Sequence, residues 1–394
     1  MPTLRSLELI KKLVAFDTTS RESNLDLIAF IQDYLSDFAI DSLLVHNKEG
    51  TKANLYATLG KTNKSGIMLS GHTDVVPVDG QDWDSDPFRA IEKDTNLYGR
   101  GTADMKSFIA VVLAYVPVFL ERELVTPIHL AFSYDEEIGC IGVRRLIEKL
   151  REMPIKPAMC IVGEPTSMQV VTGHKGKRSF IANVRGLESH SALAPQGVNA
   201  VEYAAELVAF LKKIARRIEK EGPFDELYEV THTTIHTGLI NGGIQLNIVP
   251  KSCRVEFEFR YLANHNPDLL ESEIRNYAKE ILEPLMQKVN IDTGIDIDCY
   301  NDLPGLEMNP NEEVVTFVKA LAGRNDHAKV AFGTEAGLFH NQINIPTVIC
   351  GPGDIAVAHK PNEFISFDQI LQAENFMSRL ANEVSGQGQK FSSN

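Results

Sequence analysis

RSFIANV, residues 178–184, reads as a β-strand, and it is the strand at which the rhythm of the chain changes. Before it, helical and extended patterns alternate. Apolar residues at helical spacing mark 7–16, 25–38, 107–121 and 142–151, and short apolar runs mark strands at 54–59, 67–70, 128–133 and 158–162. Strand and helix in alternation predict an α/β sheet with helices on both faces. From residue 176 the order differs. The strand 178–184 is followed by a long helix with a charged face, 199–220, strands at 231–240 and 253–261, a helix at 267–288 and a strand at 295–300. That is β-α-β-β-α-β, the split ferredoxin-like unit. After residue 301 the first pattern resumes, with a helix at 312–322, a strand at 347–350 and a helix at 367–384. The expected fold is therefore α/β: one domain in two parts, 1–175 and 301–385, an inserted ferredoxin-like domain at 176–300, and a disordered tail at 386–394.

Composition agrees and sets limits. The 394 residues exceed what one ordinary core holds. A net charge of −14 argues against sequence-independent binding to nucleic acid or anionic membrane, which both need basic surface. No apolar run reaches the ~18 residues of a membrane span; the longest, 109–120, reads as a buried core helix. Residues 4–16 mix charge with apolar residues at helical spacing, and no small-residue cleavage site follows, so no signal peptide is expected. Cys140, Cys160, Cys253, Cys299 and Cys350 are scattered, odd in number and lack a C-x-x-C pair. They read as reduced, buried thiols of a cytoplasmic protein, not as a zinc–thiolate site.

Four clusters follow predicted strands or the loops after them. In Gly71-His72-Thr73-Asp74, extended chain puts His72 and Asp74 on one side, and Asp74 is placed to accept the second N–H of a metal-binding imidazole. In GRGTAD, 99–104, two glycines make a tight loop and Asp104 precedes a helix; by itself it reads as an N-cap. In DEEIG, 135–139, adjacent carboxylates repel. Either both are solvated, or one of Glu136 and Glu137 binds metal while the other holds a water as general base. Glu164, in Gly163-Glu164-Pro165, follows a strand directly. His359, near the end, is by itself an ordinary histidine. Ligands in open α/β sheets gather at the carboxyl ends of strands, where these residues can converge. Two histidines and three carboxylates are nitrogen and oxygen donors that zinc accepts, and a carboxylate shared by two ions ~3.5–4 Å apart would hold a pair.

The chain resembles the dinuclear zinc aminoacylase and carboxypeptidase superfamily, which includes acetylornithine deacetylase, succinyl-diaminopimelate desuccinylase and carboxypeptidase G. The resemblance spans roughly residues 7–381. It is carried by SGHTDVVP (70–77), WDSDPF (83–88), YGRGTADMK (98–106), DEEIG (135–139) and GEP (163–165). It implies a catalytic zinc-peptidase-like domain with an inserted lid that dimerises. It also implies that two Zn2+ ions are held by His72 and Glu164 on one side and Glu137 and His359 on the other, with Asp104 between. Glu136 would be the general base and Asp74 the partner of His72. His190, in GLESHSA (186–192), would reach the partner subunit's site and stabilise an oxyanion; by itself it reads as a loop or core histidine. Asn247, Arg260 and Thr334 match substrate-contacting positions. Arg260 alone reads equally as a surface ion pair or as a bidentate partner for a substrate carboxylate.

GTEAG (333–337) and AHKPNE (358–363) look most like the acetylornithine deacetylases, although Asn362 stands where aspartate is common. The resemblance thus implies cytoplasmic hydrolysis of N2-acetyl-L-ornithine to L-ornithine and acetate. A desuccinylase, aminoacylase, acetylcitrulline deacetylase, carboxypeptidase or dipeptidase would share the same scaffold. Cobalt or manganese suits similar donors. A metal-free binding relative is the reading from another class; the presence of all five ligands and Glu136 counts against it.

Overall fold

Apolar runs with no polar face suit strands covered on both sides. Ile67–His72, Ile128–Ser133 and Thr347–Gly351 are such runs, and every residue of the three is buried. The computed structural model, which describes residues 1–386, places them inside a nine-stranded sheet. Its order is Ser42–His46, Ala53–Leu59, Ile128–Ser133, Ile67–His72, Met159–Pro165, Thr347–Gly351, Val171–His174 and Leu306–Glu307, with Ala328–Val330 beside Val171–His174. The four strands from Ile128–Ser133 to Thr347–Gly351 run parallel to one another. The flanking pairs are antiparallel. Parallel strands point their carboxyl ends the same way, so His72, the loop after Ser133 and Glu164 share one edge.

Lys106–Leu120 is the core helix that the run 109–120 predicts. It is buried on nearly all sides and packs on Leu4–Val14 and Phe367–Val384. A small sheet of Ile91–Lys93, Asn96–Tyr98 and Phe364–Ser366 lies just before the loop 99–104 and just after His359 in the chain.

By its internal contacts the chain forms two units. One comprises Met1–Gly173, Leu306–Lys329 and the chain from Thr334; the other comprises His174–Gly305 and Val330–Gly333. The second unit has the β-α-β-β-α-β order. Its four strands are Thr234–Gly242, Ser252–Tyr261, Gly176–Arg185 and Gly294–Leu303 in that spatial order, all antiparallel. Alternation in RSFIANV turns Phe180, Ala182 and Val184 inward. There they meet Leu207, Leu211, Ile214 and Ile218, the apolar stripe of the helix Ala200–Glu221. The Phe180 and Phe257 rings stack with centroids 5.0 Å apart. Asn199 caps that helix through the N–H groups of Val201 and Glu202, and Gly222, at φ 77°, ends it.

The predicted single helix 267–288 is broken. Pro267–Asn276 is α-helical, Tyr277–Leu282 widens into a π turn, and Glu283–Gln287 resumes. Pro284 has no N–H to continue the ladder, which accounts for the wider turn before it. Four of the five cysteines are buried as expected, but Cys299 is exposed. Among the described residues no helix is long and apolar enough to cross a membrane. The expected tail, 386–394, lies outside the described residues apart from Gly386.

Candidate active site

His72 is the last residue of its strand. Its Nδ1 donates to the Asp74 carbonyl oxygen at 2.9 Å, which turns Nε2 toward Asp104 and Glu164, where it would face a metal. Nε2 lies 3.0 Å from Asp104 Oδ1 and 3.8 Å from Glu164 Oε1. The Asp74 carboxylate is farther from Nδ1, at 3.6 Å. It accepts from Ser20 Oγ at 2.7 Å, from the Glu136 N–H at 3.1 Å and from the Glu137 N–H at 3.3 Å. The backbone of Asp74 thus orients the imidazole, and its side chain anchors the loop that carries the two glutamates.

Asp104 does not cap the following helix: the N-cap position is Met105, and no side chain caps it. Instead its two oxygens diverge. Oδ1 faces His72, and Oδ2 lies 3.2 Å from His359 Nε2. The loop reaches this point through Gly101, at φ 83°, where a Cβ would come within 2.9 Å of Val75. His359, in the left-handed region at φ 63°, also places Nε2 3.1 Å from Glu137 Oε2. Glu164 stands on its strand beside Gly163, where a Cβ would fall 2.1 Å from the Phe108 ring; only glycine fits over that core side chain. Glu136 Oε1 accepts the Cys140 thiol at 3.1 Å.

The structure therefore brings His72, Asp74, Asp104, Glu136, Glu137, Glu164 and His359 together within the first unit. Thr334, in the same unit, is buried, and its hydroxyl accepts the Ala336 N–H at 3.1 Å just before the helix Ala336–Ile343. His190, Asn247 and Arg260 belong to the second unit. There the His190 ring accepts the Ala192 N–H, and His190 bridges to Ile248, next to the exposed Asn247. Arg260 Nε donates to Glu258 Oε1 at 2.9 Å, the ion pair that its residue type alone suggests.

The electrostatics suit cations. Burial, with neighbouring carboxylates adding to it, pushes Glu136 up to about 8 and Glu137 up to about 7, and holds Glu164 well above its usual range. Hydrogen bonds to Asp104 and Glu137 raise His359 to about 10. Glu137 Oε1 is buried without a hydrogen-bond partner. Crowded, desolvated carboxylates with an orphan oxygen and two outward imidazole nitrogens match the donor chemistry of a divalent pair. Ligand atoms of His72, Asp104 and Glu137 lie within 4.8 Å of one another, as do those of His72, Glu136 and Glu164. The second grouping admits Glu136 as a ligand, an alternative to its role as base.

Sequence reasoning passed over three buried residues here. Glu335 accepts from Ser133 and Ser70 beneath the site and is pushed up to about 7 by burial. Arg100 and Glu363 form a buried ion pair at 2.6 Å. All three sit inside quoted motifs, but no spacing rule marks them.

Comparison with known proteins bears on this arrangement. A family model described as peptidase family M20/M25/M40 matches residues 68–383. The chain is 32% identical over 378 residues to the acetylornithine deacetylase of Pectobacterium carotovorum subsp. carotovorum, covering 95% of each chain. It is 32% identical over 383 residues to that of Pasteurella multocida, covering 95% of this chain and 96% of the relative. Its fold matches a Staphylococcus aureus tripeptidase with a TM-score of 0.77 at 22% identity, covering 98% of this chain and all of the other. It also matches a Bacillus subtilis dinuclear metal-binding peptidase of the M20 family with a TM-score of 0.66 at 14% identity, covering 97% and 98%.

Proposed function

The chain belongs to peptidase family M20/M25/M40, hydrolases of amide bonds, and from that premise we propose that it converts N2-acetyl-L-ornithine and water to L-ornithine and acetate in cytoplasmic arginine biosynthesis. One observation carries the chemistry: the Asp104 carboxylate stands between His72 and His359, one oxygen toward each. That placement supports the reading of a carboxylate shared by two ions. The substrate rests on the two deacetylases that share 32% identity along nearly the whole chain.

In this reading His72 and Glu164 would hold one ion and Glu137 and His359 the other, with Asp104 a ligand that both could share. Zinc is the expected metal, and cobalt suits the same donors. Bound there, the pair supplies acidification of a water and polarisation of the amide carbonyl. Glu136 takes a proton from the attacking water as the water oxygen bonds to the carbonyl carbon. As the C–N bond breaks, Glu136 returns the proton to the leaving amine nitrogen. Asp74 holds the backbone of Glu136 in place. Asn247, Arg260 and Thr334 are the proposed contacts for the amino-acid part of the substrate.

The substrate reading is tested by release of free amine from N-acetylornithine, N-acetylcitrulline, succinyl-diaminopimelate and dipeptides. N-acetylornithine is expected to show the highest kcat/KM by at least tenfold. A faster rate on another of the four refutes the substrate and leaves the amidohydrolase class in place.

We further read the molecule as a homodimer built through the second unit. The edge strand Thr234–Gly242 exposes Leu239 and Ile240, and Ile244 and Leu246 after it are exposed too. An unpaired apolar edge is a pairing surface. His190 of the partner subunit would then support the oxyanion of the tetrahedral species. A His190→Ala chain mixed with a Glu136→Gln chain, each inactive alone, is expected to regain up to about a quarter of wild-type turnover through heterodimers with one intact site. No recovery despite demonstrated subunit exchange rules out the action in trans.

A further inference from the structure

Asp104 and His359 are 255 residues apart in the chain, yet their side chains must meet to within a fraction of an ångström if one carboxylate is to serve two ions. What aligns them lies just behind the site. Phe364–Ser366 pairs antiparallel with Asn96–Tyr98, Phe364 opposite Tyr98, and the Gly99 N–H donates to the Glu363 carbonyl at 2.9 Å. This ladder lays the start of the Asp104 loop against the end of the His359 loop.

The side chain of Glu363 then locks the two. Its Oε1 accepts three backbone N–H groups of the Asp104 loop: Gly101 at 3.1 Å, Ala103 at 2.8 Å and Asp104 itself at 3.0 Å. Its Oε2 accepts Arg100 Nη1 at 2.6 Å. Both side chains are only 1% exposed. Arg100 extends the lock outward. It lies over the Trp83 ring, and its Nη2 donates to Gln81 Oε1 at 2.7 Å. Gln81 Nε2 in turn donates to the His359 carbonyl at 3.0 Å. The circuit thus runs from the backbone of Asp104 through Glu363, Arg100 and Gln81 to the backbone of His359.

We propose that Glu363, with Arg100, is a positioning residue that sets the two oxygens of Asp104 against His72 and His359 and so keeps the two halves of the metal site in register. The inference rests on the dinuclear reading above. It has an asymmetric consequence. His72 and Glu164 stand on strands of the main sheet, which the Glu363 circuit does not touch. His359 and the outward oxygen of Asp104 stand on the two loops that the circuit joins. Glutamine at 363 would turn an amide NH2 toward donors that now meet an acceptor, either the three backbone N–H groups or Arg100. The His359–Glu137 half should therefore loosen first.

The test is a titration of the metal-stripped full-length chain with Zn2+ by calorimetry, followed by turnover at limiting and excess Zn2+. The wild-type chain is expected to bind two ions. Glu363→Gln is expected to weaken both ions through Asp104, but the second at least tenfold more than the first. Its kcat should fall at limiting Zn2+ and recover with excess, while KM changes little. Two ions bound as tightly as in wild type overturn the proposal. So does an equal loss at both sites, which is what a merely structural role predicts. Arg100→Lys keeps the charge and loses the Gln81 arm; it is read if Glu363→Gln does not fold. It should weaken the second ion by a smaller factor, and an unchanged second ion there overturns the proposal as well. A wild-type chain that binds two ions but hydrolyses no acyl amino acid refutes the functional reading and leaves the positioning inference standing. A wild-type chain that binds fewer than two ions ends both.

Discussion

Glu136→Gln is expected to keep two metal ions per chain and to lose turnover by ~10^3-fold or more, at the upper part of the range for a general base. The glutamine keeps the shape of the side chain and its acceptor oxygen for the Cys140 thiol, which lies 3.1 Å from Glu136 Oε1. It lacks a carboxylate to take a proton. The geometry leaves one rival role for this residue, because its carboxylate lies close enough to His72 and Glu164 to be a ligand. The two roles separate cleanly. A ligand replaced by an amide weakens metal binding, and excess metal restores rate. A base replaced by an amide leaves the metal content unchanged, and excess metal restores nothing. Metal analysis of the purified variant alongside single-turnover rates decides between them. Turnover within tenfold of wild type would show that Glu136 is not the base.

Much of this site is legible because its residues follow strands that are themselves legible. The apolar run Ile128–Ser133 and the amphipathic run Phe367–Val384 form the elements that their periodicity predicts, at the same boundaries. Where an element is long or wholly apolar, burial decides its conformation and the pattern shows it. The three-residue strands Asn96–Tyr98 and Phe364–Ser366 are another matter. Three residues carry no period, and what makes them strands is each other. Glu363 stays hidden for the same reason. A glutamate followed by an apolar run looks solvated in sequence, and its acceptors' partners lie some 260 residues earlier. Asp74 shows a different limit. Spacing correctly places it beside His72, but the imidazole is oriented by the Asp74 carbonyl, and the carboxylate serves the loop of Glu136 and Glu137 instead. Residue type suggests what a group can do; which neighbour receives it depends on turns that no single position encodes. Glu335 is legible in neither way, since the serines that satisfy it come from two strands of the sheet.

Asp104→Asn is expected to abolish activity by a different route, through the metals. Burial works to raise the Asp104 carboxyl, but hydrogen bonds from His359 and His72 outweigh it and hold the group well below the usual carboxylate range. Its two oxygens address both halves of the site. Asparagine offers one oxygen and, on the other side, an NH2 that cannot ligate. One ion keeps His72 and Glu164, or the other keeps Glu137 and His359, but no group joins them. The readout is stability. A ligand that binds only the folded chain stabilises it by RT ln(1 + [L]/Kd), about 4 kcal/mol when free metal exceeds Kd a thousandfold. Wild-type protein should thus melt several degrees higher with added Zn2+ than with chelator. In chelator Asp104→Asn should melt below wild type, since asparagine removes the charge that pairs with the two histidines, so each chain is compared with itself in chelator and in Zn2+. The variant's rise on adding Zn2+ should be no more than half as large, with one ion bound per chain. A variant that binds two ions and shows the full metal-dependent rise would mean that the carboxylate between the histidines is not shared, and the dinuclear reading would fall with it.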